Sequence, residues 1–153
     1  MSRMIFFPPG ELRLYINQYM FIDILLSKSV EDVFCTFPNG GCIMNIFYSS
    51  DLPVFIFPGK EISNLRSFVS GYLKHGVKLG RSGHYKCVII KFTPLGAYHL
   101  FGIPPSKYIN SFVNAEDLLG RSATKLIEYV NLAISTFRSP DLYFYNYHQM
   151  SQK

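Results

Sequence analysis

Histidine is the side chain that most commonly binds metals, but the histidines of this chain lack the usual metal-ligand spacing. They are His75, His84, His99 and His148. None of them forms a His-x-His or His-x-x-x-His pair, which would bring two ligands together on one element. A hairpin turn at residues 80–83 would bring His75 and His84 together, and this is the one arrangement that favours a metal. The sequence predicts no metal site and no cofactor.

The cysteines also lack the partners that nucleophilic chemistry needs. Cys35, Cys42 and Cys87 form no Cys-x-x-Cys pair. Free cysteine is among the most buried residue types, so we expect reduced thiols that pack as small hydrophobic groups. The chain has no Gly-x-Ser-x-Gly motif, and the adjacent carboxylates at 31–32 and 116–117 would point in different directions. We predict no catalytic residue and no enzyme activity.

Composition indicates a folded domain with an uneven distribution of charge. The 153 residues are 48% hydrophobic, 16% aromatic and 16% charged, with a net charge of +5. A disordered chain would be poorer in aromatic residues and richer in charge. Between Ile62 and Ala115 there is no Asp or Glu. A segment of one sign attracts anions, whereas the alternative interpretation is a set of solvated loops and strand edges.

The sequence carries no recognisable membrane or export signal. No stretch approaches the ~20 consecutive apolar residues of a membrane span. Residues 1–9 lack the apolar core of a signal peptide. We therefore expect a cytoplasmic protein without membrane association.

Hydrophobic patterning predicts strands first and helices afterwards. Turn residues separate six segments rich in Ile, Val, Phe and Tyr, and their spacing is typical of an antiparallel sandwich or barrel. These segments are Tyr15–Leu26, Val33–Phe37, Cys42–Tyr48, Val54–Phe57, Phe68–Leu73 and Tyr85–Phe92. Helical patterns follow at Leu95–Phe101, after the capping residue Asn114, and at Ser122–Phe137, with Ser122 placed to cap the last.

This order predicts an α+β fold in one domain over residues 1–153. Its β-rich part covers about 8–93 and its helical part 94–138. Residues 139–153 form a tail or a linker.

Four segments, taken in this order and at these distances, are similar to one known family. They are Phe37–Ile46, Phe68–Gly71, Val88–Pro104 and Asn114–Gly120. The third is the most specific, because a strand ends in Phe-x-Pro-x-Gly and a short helix then leads to Gly-Ile-Pro. Over about residues 8–137 the chain resembles the N-terminal domain of bacterial AraC-type transcriptional regulators.

The resemblance implies a regulatory domain. In that family a small antiparallel cupin-like β-barrel or sandwich is followed by C-terminal helices, and it binds an effector or mediates dimerisation. A C-terminal pair of helix-turn-helix units reads DNA. Residues 94–153 show no such pair, so we expect contact with DNA only through a C-terminal domain absent from this chain. The partners expected are a small-molecule effector and a second copy.

Candidate site residues follow from the predicted elements. A ligand inside the sheet would meet aromatic side chains, with Lys91 or His99 near the rim for an anionic group. The aromatic candidates are Tyr19, Phe21, Phe47, Phe55 and Tyr85. An apolar stripe on the last helix is the candidate dimer interface, formed by Leu126, Tyr129, Val130, Ala133 and Phe137. Ordinary core packing is the alternative for both sets.

The leading hypothesis is therefore an effector-binding or dimerisation domain of a bacterial transcription regulator. One alternative is a cupin-like enzyme that acts on an anionic substrate. The other is a stand-alone module that interacts with a small molecule or a protein.

Overall fold

The structure, a computed structural model, describes residues 2–26, 33–34 and 42–136. In these ranges all strand pairs are antiparallel. The strands are β1 (Ser2–Phe6), β2 (Ile16–Leu26), β3 (Val33–Phe34), β4 (Ile43–Phe47), β5 (Phe55–Phe57), β6 (Lys60–Ile62), β7 (Ser67–Ser70), β8 (Val77–Leu79), β9 (Gly83–Phe92) and β10 (Phe112–Asn114). The helices are α1 (Gly96–Phe101), α2 (Ala115–Leu119) and α3 (Arg121–Thr136), with short 3-10 helices at Gly10–Leu14 and Pro105–Lys107.

The strands form two sheets. The first has six strands in the order β1-β2-β9-β4-β7-β10, and the second has four in the order β3-β8-β5-β6. The long pair β2 and β9 runs from Ile16 opposite Phe92 to Leu26 opposite Gly83. Because side chains alternate between the two faces of a strand, each inner strand of the first sheet supplies apolar groups to both faces.

These faces give the molecule three layers. On one face, Cys87 and Ile89 of β9 pack with Phe55 of β5, so the second sheet lies over the first. On the opposite face, Ile90 of β9 packs in a separate cluster with Leu126 of α3. The six-stranded sheet is thus the middle layer, between the second sheet and the helices.

The fold class is α+β, as the sequence predicts. The inner strands are found close to the predicted bounds, but of the two predicted forms, barrel or sandwich, the described residues do not form a closed barrel. The strands of the two sheets make no ladder with each other there, and each sheet ends in edge strands. Face-to-face stacking of two open sheets buries the same inward-facing residues that a barrel would bury.

The helices confirm two predicted boundaries and shift a third. Gly102 ends α1 with φ +72°, the left-handed conformation that glycine adopts readily. The side chain of Asn114 accepts hydrogen bonds from the backbone N–H groups of Glu116 and Asp117. Helix α3 begins at Arg121, so Ser122 lies in its first turn rather than at its cap. The described helices are all too short or too polar to cross a membrane.

Candidate functional site

A small cavity lies between the two sheets. Its lining comes from β2, β4 and β9 of the first sheet and from β5, β8 and the segment before β5 on the other side. The lining residues are Ile24, Asn45, Phe47, Pro53, Phe55, Leu79, Tyr85 and Cys87. The cavity has room for about one water molecule. It carries no charged side chain in its lining and its surface is apolar, although the amide of Asn45 belongs to one of the lining residues.

That amide belongs to Asn45, in the middle of β4. Alternation along the strand places Asn45 on the same face as Ile43 and Phe47, toward the second sheet. The residue is fully buried, and neither its Nδ2 nor its Oδ1 makes a well-formed hydrogen bond to the described residues, so its interaction with the Cys87 thiol leaves the amide unsatisfied. Buried polar groups are nearly always paired. Because leaving an amide unpaired costs about 1–3 kcal/mol, Asn45 is the strongest sign of a site in this cavity.

The thiol of Cys87 lies beside this amide. Burial raises the pKa of Cys87 to about 12, and the neighbouring Asn45 amide offsets part of that rise. Cys42 faces the helical layer, where burial raises its pKa to about 12 and the Tyr108 hydroxyl acts in the opposite direction. Both thiols are reduced and buried, which confirms the prediction for these two. Cys35 lies outside the described residues.

These pKa values predict a loss of stability at alkaline pH. A thiol near its ordinary value of 9.0 ionises in the unfolded chain before it ionises at about 12 in the folded one. The stabilisation is therefore complete below pH 9 and is lost as pH rises from 9 toward 12. Each thiol contributes up to about 1.4 kcal/mol per pH unit in this window. Urea unfolding at pH 8, 9 and 10 measures the slope. Cys87→Ala should reduce it, and an unchanged slope would contradict the assignment.

Three of the predicted ligand-binding residues come together in the cavity. Phe47 and Phe55 face each other across the sheets with ring centroids 6.2 Å apart. Tyr85 lines the same space, and its hydroxyl donates to the backbone carbonyls of Arg81 and Ser82 in the turn before β9. Aromatic side chains from both sheets therefore form part of the cavity wall.

The other predicted ligand-binding residues lie elsewhere. Tyr19 is buried on the helical face of the first sheet, and Phe21 packs against the same cluster. His99 is exposed on α1, with its ring centroid 6.2 Å from that of Tyr15. Lys91 is half-buried on β9, opposite Ile43 of β4. The structure therefore does not bring these four to the cavity lining.

An exposed polar cleft is the second cluster of ionisable groups. Nε2 of His84 lies 2.5 Å from Oδ1 of Asp23 across the β2–β9 pair, and Nζ of Lys86 lies 3.9 Å from Oδ2 of the same carboxylate. Oδ2 of Asp51 accepts from the backbone N–H of His84. In the described part of the chain, no three His, Cys, Asp or Glu side chains are grouped as metal ligands. These groups form an exposed, solvated polar cluster near the start of β9, where such contacts add little to stability.

The proposed dimer stripe is only partly described. Leu126 is 1% exposed and packs in the core between α3 and the first sheet, together with Ala123 and Ile127. Leu126 therefore has the core-packing role that the sequence analysis gives as the alternative to a dimer interface. Three further residues of the stripe belong to α3, but the structure does not describe their side chains. They are Tyr129, Val130 and Ala133. Phe137 lies outside the described residues.

Comparison with known proteins gives one match. The family described as a domain of unknown function, DUF6597, matches residues 4–114. This range covers nearly all of both sheets and the whole of α1. No curated protein and no solved structure matches the chain.

Proposed function

The chain belongs to the family described as a domain of unknown function, DUF6597, and we propose that this member is an effector-binding domain of a bacterial transcription regulator. The proposal assigns it ligand sensing and dimerisation, without catalysis. DNA recognition belongs to a helix-turn-helix domain outside this chain. We place the effector between the two stacked sheets.

One observation carries this proposal: the unpaired amide of Asn45 in the cavity between the sheets. A polar side chain that only stabilised the fold would have its partners inside the fold. The side chains that share the cavity wall with Asn45 are apolar, apart from the Cys87 thiol and the Tyr85 hydroxyl, which already donates to the turn before β9. An effector that accepts from Nδ2 and donates to Oδ1 would satisfy both orphan groups.

The lining also defines the chemical class of the effector. No Lys, Arg, Asp or Glu lines the cavity, so a charged ligand would be desolvated without compensation. Phe47 and Phe55 offer apolar aromatic surface. The effector is therefore a small uncharged molecule, mostly apolar, with an adjacent donor and acceptor, as in a primary carboxamide or a lactam. An uncharged effector differs from the sequence-based expectation, which was a ligand with an anionic group bound by Lys91 or His99.

Binding would move the second sheet. The cavity holds about one water molecule, so a larger ligand must displace the wall formed by Phe55 and Leu79. These two residues belong to adjacent strands, β5 and β8, which are paired opposite each other. An effector would therefore shift the second sheet as a unit. Such a movement gives a sensor its output, because the ligand favours the state with separated sheets.

Dimerisation is the other part of the proposal. Leu132 of α3 is half exposed, beyond the buried pair Leu126 and Ile127. It follows the candidate residue Tyr129 by three positions, and residues at that spacing are neighbours on a helix surface. The part of α3 that follows the buried pair is the surface that we assign to a second copy.

A thermal-shift screen tests effector binding. The full chain is heated with small neutral carboxamides and lactams, and with carboxylates of matched size. Binding to the folded state alone raises stability by roughly 2.7 kcal/mol at a hundredfold excess over Kd. We expect the neutral amides to raise the melting temperature and the carboxylates to leave it unchanged.

Asn45→Leu is the decisive variant in this screen. It removes both orphan polar atoms and keeps a similar volume, so the ligand-free protein should melt at the same temperature or higher. Its response to the amides should disappear. Ser70→Ala is the matched control, because Ser70 is a buried polar residue of β7 outside the cavity lining, and it should respond like the unaltered chain. An equal response from Asn45→Leu would refute the site.

A further inference from the structure

The first sheet ends in an open apolar edge at β1. Among the described residues, β1 pairs only with β2, so the hydrogen-bonding groups on its outer side face away from the sheet. We propose that β1 of a second copy pairs antiparallel with this edge across a two-fold axis and joins the two six-stranded sheets. This surface is independent of the effector cavity and of α3.

The side chains along this edge are apolar and exposed on both faces. Met4 is 60% exposed and Phe7, which follows β1, is 66% exposed. Met4 lies opposite Phe21 on the helical face, whereas Ile5 lies opposite Met20 on the other face. Neither the second sheet nor the helical layer covers Met4 and Ile5. Consecutive exposed apolar residues with free strand hydrogen-bonding groups are a template for strand addition.

Two other described sheet edges, β10 and β6, are protected in ways that β1 is not. The opposite edge of the first sheet, β10, has three residues and runs directly into α2, and its Phe112 is buried. In the second sheet, the edge strand β6 carries the charged pair Lys60 and Glu61, both exposed. Short length and charge are the devices by which natural edges avoid pairing. Residues 2–6 contain no proline, lysine or acidic residue.

The sequence of β1 is complementary to itself. A register centred on Ile5 places Ile5 opposite its own copy and Met4 opposite Phe6 of the second copy. In an antiparallel pair, opposite residues share a face, so each contact joins two apolar side chains. Arg3 then lies opposite Phe7 of the second copy, where a guanidinium can rest on an aromatic ring.

Charge also favours a second copy as the occupant. Arg3 is the only charged residue of β1. In the register centred on Ile5, the two Arg3 positions are four residues apart, about 13 Å along the strand. That separation exceeds the screening length of about 8 Å at physiological ionic strength. A partner strand with many charges would have no opposite charges to pair with at this edge. An apolar strand with one charge near its end, such as β1 itself, fits. A two-fold axis allows the same patch to serve both copies.

Disulfide trapping tests the two-fold axis directly. In the Ile5→Cys variant of the full chain, the two introduced side chains should lie about 4.5–5.5 Å apart at Cβ, so a small approach of the strands brings them to the roughly 3.5–4.5 Å that a disulfide requires. Mild oxidation should convert most of this variant to a covalent dimer. The buried Cys42 and Cys87, with pKa values raised to about 12, should not react. Leu95→Cys is the matched control, because Leu95 is an exposed apolar residue between β9 and α1 and not part of β1, and it should form at most the background amount.

Sedimentation of a lysine variant gives the second test. Ile5→Lys places two like charges opposite each other, and the dimer dissociation constant should rise by at least about tenfold. Leu95→Lys should leave it unchanged. The proposal would be overturned by a chain that stays monomeric at high concentration and whose Ile5→Cys variant cross-links no more than background. So would an assembly that Ile5→Lys leaves unchanged and that Leu132→Lys alone reduces, which would leave the α3 surface assigned above as the sole contact between copies. None of these outcomes bears on the effector screen.

Discussion

Phe68→Ala is expected to lower the free energy of unfolding by about 3–5 kcal/mol, the usual loss for a fully buried phenylalanine. Phe68 on β7 is completely buried between the two sheets. Its ring stacks on that of Phe112 at 4.1 Å and meets the edge of Phe55 at 5.2 Å. It therefore joins two strands of the first sheet to the second sheet. For a domain of typical stability, about 5–15 kcal/mol, this loss is a large fraction.

Urea unfolding followed by circular dichroism measures this loss. Tyr98→Ala is the control, because Tyr98 is half-exposed on α1 and its replacement should change stability by no more than about 0.5 kcal/mol. Phe68→Leu should lose less than Phe68→Ala, because it leaves a smaller cavity. A double-mutant cycle with Phe112→Ala should give a coupling of about 0.5–1.5 kcal/mol. A loss below about 1 kcal/mol for Phe68→Ala would contradict the packing of the two sheets.

The sequence predicts the inner strands well because each of them is apolar on both faces. Segments such as Cys42–Tyr48 and Tyr85–Phe92 are mostly apolar, and β4 and β9 are found largely within them. Strand β1 is missed, because the predicted β-rich part begins only at about residue 8. The short strands β6, β8 and β10 are missed as well. Each of these has three residues, and Lys60, Glu61 and Lys78 interrupt the apolar pattern of β6 and β8. Their pairing depends on residues distant in the chain, which local patterning does not reveal.

The candidate site is only half predicted because the sequence does not define which face of a strand points inward. Phe47, Phe55 and Tyr85 reach the cavity, whereas Tyr19 and Phe21 point to the helical layer. In β2 a register irregularity between Ile16 and Gln18 shifts the alternation. A shift of one residue moves every following side chain to the opposite face. Strand composition alone therefore cannot separate the two groups.

Asn45 was missed for a related reason. It is one amide within an apolar run, and such a residue is equally consistent with a solvent-facing position at a strand edge. Only the pairing of β4 with both β7 and β9 shows that Asn45 is enclosed. The sequence does contain one signal for Asn45. It lies two residues before Phe47, a predicted ligand-binding residue, and so shares a face of the strand with it.

Gly96→Ala is expected to destabilise the protein by about 1–3 kcal/mol or more, the effect of overpacking a closed site. Gly96 is the first residue of α1 and belongs to the Phe92–Gly96 segment that carries the family resemblance. A Cβ atom there would overlap the backbone carbonyl oxygen of Tyr15 and would lie 2.8 Å from Oγ1 of Thr93. That same carbonyl accepts from the backbone N–H of Thr93 at 2.9 Å. The added methyl group therefore pushes apart the contact that fastens the end of β9 to the start of β2.

The sign of the Gly96→Ala effect separates this explanation from helix propensity. Alanine is favoured over glycine by about 1 kcal/mol in a helix interior, so propensity alone predicts a gain in stability. The overlap with Tyr15 predicts a loss. His99→Ala is the matched control, because it places alanine at an exposed position of the same helix and should stay within about 0.5 kcal/mol. A higher melting temperature for Gly96→Ala would show that α1 does not approach Tyr15 closely. A lower melting temperature would explain why a glycine follows Pro94 and Leu95 at this turn.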